Sequence, residues 1–476
     1  MPEISGSWID FVEGRCPGLS VSAIPYGREY LHSHLKRVKR HASRFEKPVQ
    51  EVMNETSLSG TPAGESIRRL RQSGSVAVIA NVEAGIFGGA LSQFLKCLTA
   101  VKVCRELAGQ GIDAVPVFWI NESGSGPSKA VGPLRILNAG SELRRLSVQA
   151  EESVGSCSGP GLPFDQVSGL IDQVEDIGRG FFDPEILAML KTSYVRDATW
   201  SSACAGLVSA LMDEWGVVAV DSGSADFLAK VYAACTPLLR RISETRNSEE
   251  GIGSRPEKSD ISAPDTPETP TDYVIQSSIL PVFARIVDRG ELSSYLKAQS
   301  GFESIGLVPP ISWPASSATV IDARRRKIME KYAIGLQDLW ESKEAVLRRL
   351  NERVISSPIE AKLDSFKSEL QQRIDGLNDP GMEGRSFTKV KKQSRERIAY
   401  QIDKIIRRVE KARLDKKQVM ERHIQRACSY LVPDGMRQED GLAGISFPLR
   451  YSRSVLSFFY ENLDIMKFEH QLVYLA

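Results

Sequence analysis

The chain has 476 residues, 61 of them basic and 60 acidic, and 42% are hydrophobic. That length supports two or three domains, each with its own core. The near-balance of charge excludes a global field of the kind that gathers nucleic acid or acidic membrane surfaces.

In chain order, residues 1–75 read as mostly polar helix, with EYLHSHLKRVKRHASRF the most basic part. SVAVIAN, 75–81, is the first strand, with β-favouring Val76, Val78 and Ile79 bounded by Gly74 and Asn81. NVEAGIFGGALSQFLK then turns through glycines into a helix over 88–108, where Leu91, Phe94, Leu95, Leu98, Val101 and Leu107 keep helical spacing. GQG at 109–111 stops it, and DAVPVFWIN, 113–121, is a second strand. Strand, helix and strand form a βαβ unit, which requires parallel strands and a right-handed crossover. A third strand is WGVVAVDSG, 215–223, after the helical SSACAGLVSALMDE. Residues 243–272 hold almost no large apolar side chain and are rich in Ser, Pro, Glu and Thr, so a disordered linker is expected there. Order returns with YVIQSSILPVFARIV.

The last 150 or so residues change character. Ser357 as N-cap, Pro358 at the first helical position and Glu360 at the third form a capping box. Leu363, Phe366, Leu370, Ile374 and Leu377 then make a stripe that ends at NDPG. A second helix over about 388–430 places Ile398, Ile402, Ile405, Val409, Ala412, Val419 and His423 on a matching seam. The pair predicts an antiparallel helical hairpin. The second helix would be about 60 Å long, so it projects or pairs with another chain. Residues 389–426 carry 14 Lys or Arg against 5 acidic residues, and Tyr400 is the single Phe, Tyr or Trp among them, so no series of aromatics interleaves as stacking platforms. The basic face therefore reads as the solvated outside of a coiled coil, with no nucleic-acid partner expected.

Gly85, Gly88 and Gly89 stand where a helix begins. Free N–H groups and the helix dipole favour an anion there, and tight strand–helix packing accounts for the same glycines equally well. Asp221 ends a strand, at the edge where doubly wound sheets bind ligands. INESGSGPSK, 120–129, is a glycine-rich loop without the P-loop pattern, and Lys129 does not make it one. Glu122, beside it, either contacts an amine or is simply solvated. No histidine falls between 42 and 422, so a histidine triad or an HxGH motif in the α/β core is not expected. His32 and His34 are two apart on a helix and point to different faces, so no metal site is expected. Seven scattered cysteines without CxxC read as reduced, buried thiols. The start, MPEISGSWIDFVEGRCPG, has no basic stretch ahead of an apolar one, and no apolar run approaches about 18 residues. A cytoplasmic protein is expected.

These pieces, in this order, resemble the bacillithiol-biosynthesis cysteine-adding enzyme family, the cysteine ligases called BshC. AGIFGGALSQFLKCLTAVKVCRELAGQGIDAVPVFWI is similar to the family's AGLFGGPL…K-x-x-S/T-x-I-x-L-A-x-x-L…VPVFWI. EWGVVAVDS resembles GLVVLDP, and LPVFARIVDRGELSSYL resembles FPTLAYVGGPGEIAYW. GLVPPISWPASSATVID is similar to MPVVYPRASATLLE, KYAIGLQDLW to KYGLSLEDL, and FEHQLVYL to GHQVVEL. The resemblance implies an α/β, Rossmann-like parallel sheet core with connecting insertions and a C-terminal antiparallel coiled-coil domain. Expected divisions are a helical segment over 1–74, the first part of the core over 75–242, the linker over 243–272, and the second part of the core over 273–340. The hairpin then spans 341–430, and 431–476 returns to the core.

The implied activity is amide ligation of cysteine to the amine of glucosaminyl-malate, with ATP the expected activator and a homodimer formed through the coiled coil. Gly85, Gly88, Gly89, Asp221 and Gly290 are then candidate binding residues, and Glu122, Glu291 and Tyr295 candidate catalytic ones. His470, in the last matching segment, reads as a packing residue. The family's polar pocket positions differ here. GQQAG is Asn81-Val82-Glu83-Ala84-Gly85, the SEDHDF-like run is Asn121-Glu122-Ser123-Gly124-Ser125-Gly126, only Gly290 and Glu291 remain of GGPGE, and Ala315 replaces the arginine of YPR. A retained fold with an altered site is expected, and with it an alternative reading: a catalytically impaired homologue acting as a dimeric scaffold or regulator.

Overall fold

A computed structural model describes residues 27–42, 60–71, 74–121, 133–148, 164–224, 227, 231, 270–355, 359–377 and 385–475. The chain divides into two compact units, residues 2–321 with 433–476, and residues 322–432.

The first unit is built on five parallel strands. Helices α1 (Arg28–Ala42) and α2 (Pro62–Arg71) precede β1 (Val76–Glu83), which leads through the glycine turn into α3 (Leu91–Gly109) and β2 (Ala114–Asn121). A β3–β4 hairpin (Leu134–Leu137 and Leu143–Leu146), α4 (Trp200–Leu211) and β5 (Val218–Asp221) follow. Then come α5 (Pro270–Ile279), β6 (Val282–Val287), α6 (Leu292–Lys297), β7 (Ile311–Pro314) and β8 (Ala318–Asp322). Of the expected linker, residues 270–272 open α5, and the remainder lies outside the described residues. The long apolar run after it divides at Leu280-Pro281 into α5 and β6, because proline cannot donate the next helical hydrogen bond.

The sheet order is β5-β2-β1-β6-β7, and every pairing in it is parallel. Chain order therefore reverses between β1 and β6. In doubly wound sheets the crevice beyond the carboxyl ends of two such strands is where ligands sit. One face of the sheet buries Ala77, Ile79, Val115, Val117 and Val220 against Ile67 and Leu70 of α2 and Ile275 and Ile279 of α5. The other face is covered by α3, whose Phe94, Leu95, Leu98 and Val101 are buried. With both faces covered, the strands read as continuous apolar runs rather than alternating ones.

In the second unit, α7 (Lys343–Ile355), α8 (Ile359–Asp375) and α9 (Arg385–Leu431) form the helical arm. Its antiparallel course follows from two ion pairs. Lys367 meets Asp403 at 2.5 Å, while Asp375, further along α8, meets Arg395, earlier on α9, at 3.2 Å. The capping box at Ser357 and Pro358 lies outside the described residues. The seam of α9 differs from expectation in its second half. Ile402 is buried, but Ile405 is 47% exposed and Ala412 and Val419 also face solvent, while Met420, Ile424 and Ala427 are buried instead. One residue rotates a helix face by about 100°. The change of face follows from a change of neighbour: α9 runs beside both α8 and α7, and α7 buries Val346 and Leu350. No described helix is long and apolar enough to cross a membrane.

Candidate active site at the sheet switch point

The glycine turn after β1 is shaped by backbone contact. A Cβ on Gly85 would stand 2.8 Å from Gly89 Cα, and Gly88 and Gly89 have φ of +85° and +78°, which side chains disfavour. Phe87, between them, is itself left-handed at φ 52° and fully buried. Three N–H groups of the turn and helix start are engaged within the chain. Gly88 N–H donates to Gly85 O, Gly89 N–H to Ile86 O, and Leu91 N–H, at the start of α3, to Leu442 O. Gly444 N–H donates to Gly89 O, so residues 442–444 close over the helix start where an anion was expected.

The charged part of the crevice comes from α3 and from the loop after β6. Lys96, 2% exposed, places Nζ 2.6 Å from Glu291 Oε2 and 3.0 Å from Asp288 Oδ2. Asp288 and Glu291 make a reciprocal cap at the start of α6. Asp288 Oδ1 accepts from Gly290 N–H and Glu291 N–H, and Glu291 Oε2 accepts from Asp288 N–H. Burial pushes the Asp288 carboxyl up, but the Lys96 charge and these N–H groups outweigh it and hold it below the usual carboxylate range. Lys96 and Thr99 occupy the two polar positions of the K-x-x-S/T pattern. Thr99 Oγ1 accepts from Ser316 N–H at 3.0 Å, which ties α3 to the end of β7.

A second group reaches the crevice from the chain's end. The short helix Gln438–Gly441 packs on α3. Ser92 hydrogen-bonds Asp440, whose carboxyl is pushed up to about 6 by desolvation, with the Glu439 and Asp288 charges adding, although the residue keeps contact with solvent. Glu439 is buried. Its Oε1 accepts from Ser317 Oγ at 2.6 Å and its Oε2 from Ala318 N–H at 2.8 Å. Burial raises the Glu439 carboxyl. His470 Nδ1 lies 2.6 Å from Ser317 Oγ, and Nε2 lies 2.8 Å from Thr319 Oγ1. With Ser317 donating to Glu439, a neutral His470 donates to Ser317 and accepts from Thr319, giving one directed chain. Burial lowers the His470 imidazole to about 4, so it stays neutral.

Sequence reasoning missed the Lys96 pairing and the Ser317–Glu439–His470 chain. A histidine does stand beside the α/β unit, delivered by β9 (Gln471–Leu475), which pairs with β8.

The expected site residues are placed as follows. Gly290 and Glu291 lie in the charged loop at the crevice. Tyr295 is fully buried, its hydroxyl donates to Pro310 O at 3.1 Å, and burial raises it further above the usual phenol range. Asp221, at the sheet's edge strand, folds back to accept from Gly223 N–H at 3.1 Å. Glu122 and Lys129 lie outside the described residues.

Fold and crevice thus define a Rossmann-like α/β protein carrying a helical arm. Comparison with known proteins names the family. The model for the BshC N-terminal Rossmann-like domain of bacillithiol biosynthesis matches residues 26–257, and the model for the BshC C-terminal coiled-coil domain matches residues 318–475. The chain belongs to the BshC family. It is 22% identical over 464 residues to "Putative cysteine ligase BshC" of Koribacter versatilis, covering 84% of each chain. A relative of the same name in Salinibacter ruber is 20% identical over 540 residues, covering 99% of this chain and 97% of that one.

Proposed function

We propose that the protein is a cysteine ligase of bacillithiol biosynthesis, joining the carboxyl group of cysteine to the amine of glucosaminyl-malate with ATP as activating co-substrate. An amide does not form from a carboxylate in water unless an oxygen leaves on an activating group, and the nucleotide phosphate would carry it away. The attacking amine must also lose its proton. Asp440, solvent-accessible and held up to about 6, suits that task near neutral pH. Lys96, fixed between Asp288 and Glu291, supplies a positive centre beside the developing negative charge of the acyl group.

The observation that carries this reading is that Lys96 and Asp440 both lie beside Asp288, just past β6 at the sheet's switch point, in a chain that family models match at both ends. The same reading includes a homodimer through the arm, whose Phe366, Val390, Tyr400 and Leu414 are all more than half exposed, and a cytoplasmic setting, where thiols stay reduced. Incubation of the purified protein with cysteine, glucosaminyl-malate and ATP should yield the amide product by mass spectrometry. Absence of product, while a working family member succeeds in parallel, refutes the ligase reading.

One observation favours the second reading, a non-catalytic scaffold. The N–H groups of Gly88, Gly89 and Leu91, three of those that would hold an anion at the turn, are spent on the chain's own carbonyls.

A further inference from the structure

Across the sheet from Lys96, β6 carries a second buried cation. Arg285 is 1% exposed, and no ion pair reaches it among the described residues. Its Nη1 donates to Asn81 Oδ1 at 3.3 Å. Its Cζ lies 4.7 Å from the ring centre of Tyr273 and 5.9 Å from that of Tyr295, both fully buried. Nε and Nη2 have no hydrogen-bond partner among the described residues. Among the described residues the buried amides of Asn81 and Gln276 are in the same condition: Asn81 Nδ2 on β1, and both Nε2 and Oε1 of Gln276, one helical turn beyond Tyr273 on α5.

Buried polar groups are nearly always bonded, and a buried charge more so. The pattern of what is bonded is specific. Nε–H and the Nη2–H beside it form the side edge of the guanidinium, the fork that matches the two oxygens of a carboxylate. Asn81 holds the remaining nitrogen, and the two tyrosine rings fix the plane. Asn81 and Arg285 each stand two residues before the end of their strands, β1 and β6, the two strands at which the sheet order reverses.

We propose that Arg285, with Asn81 bonded to it, is a carboxylate-binding site at the floor of the switch-point crevice. The guanidinium fork grips the carboxylate, and the Asn81 amide is the next donor in reach. The site requires no ligase activity, so its failure and the failure of the ligase reading are separate results.

The test is calorimetric titration and thermal unfolding of the full chain in sodium malonate, sodium phosphate and sodium chloride at matched ionic strength. Malonate should bind at one site and raise the unfolding temperature above that in chloride, with phosphate weaker. Arg285→Lys keeps the charge and removes the fork, and should weaken malonate binding by about tenfold or more. Asn81→Asp places a carboxylate on the chain beside the guanidinium. It should raise the unfolding temperature without added anion and abolish the malonate effect, which guards against simple misfolding of the lysine variant. Equal response to malonate and chloride, tighter binding of phosphate, or an Asn81→Asp variant that still responds to malonate overturns the assignment.

Discussion

Lys96 Nζ lies 2.6 Å from Glu291 Oε2, joining the first crossover helix to the loop after the fourth strand of the sheet and leaving the lysine 2% exposed. Lys96→Met keeps the volume but leaves Asp288 and Glu291 facing each other without a cation. Urea unfolding at pH 7.5 should show a loss of about 3 kcal/mol. Asp288 is held below its usual range in the wild type, so its contribution is present above the unfolded value of 3.8 and fades as pH falls through the lower folded one. The gap between wild type and variant should therefore narrow in acid. Glu291→Gln leaves Lys96 its other partner and should cost less, about 1–2 kcal/mol.

His470 is neutral in the fold, lowered to about 4 from 6.5. Its stabilising effect is complete above pH 6.5 and is lost as pH falls from there toward 4, because the unfolded chain takes up the proton first. His470→Gln should cost about 1–2 kcal/mol at pH 7.5 through lost hydrogen bonds. That cost should shrink steadily by pH 4.5. A constant difference across the range contradicts the neutral, chain-ordered histidine.

Gly85→Ala should destabilise by about 1–3 kcal/mol, since the new methyl group meets Gly89 Cα at 2.8 Å, a backbone atom that cannot rotate aside. A variant as stable as wild type by chemical unfolding means that the turn has another conformation.

Replacing residues 363–407 by a short Gly-Ser connection removes the outer part of the hairpin, including Phe366, Val390 and Tyr400, and spares the buried Met420, Ile424 and Ala427. Light scattering should then report a monomer for the shortened chain and a dimer for the full one. A shortened chain that remains dimeric places the contact elsewhere.

The sheet was legible because its signals are local. Val76–Glu83, Leu91–Gly109 and Ala114–Asn121 each declare themselves by periodicity, and one short crossover fixes their parallel sense. The seam of α9 was legible only as far as Ile402, because the face beyond depends on α7, a neighbour that no heptad count contains. The crevice was least legible. Glycines and Glu291 were visible as motifs, but Lys96 finds Asp288 across 192 positions, and Ser317 finds His470 across 153. Lys96 also reads as one of several polar residues on α3, beside Gln93, Lys102 and Arg105, with no local sign that it is the buried one.

The central claim, that amide formation takes place in this crevice, is tested most directly by the initial rate of product formation against pH in wild type and Asp440→Asn. The wild-type rate should rise with an apparent pKa near 6, and the variant should be slower by about a hundredfold or more with that rise gone. A variant that forms product at the wild-type rate, with the same pH profile, contradicts it.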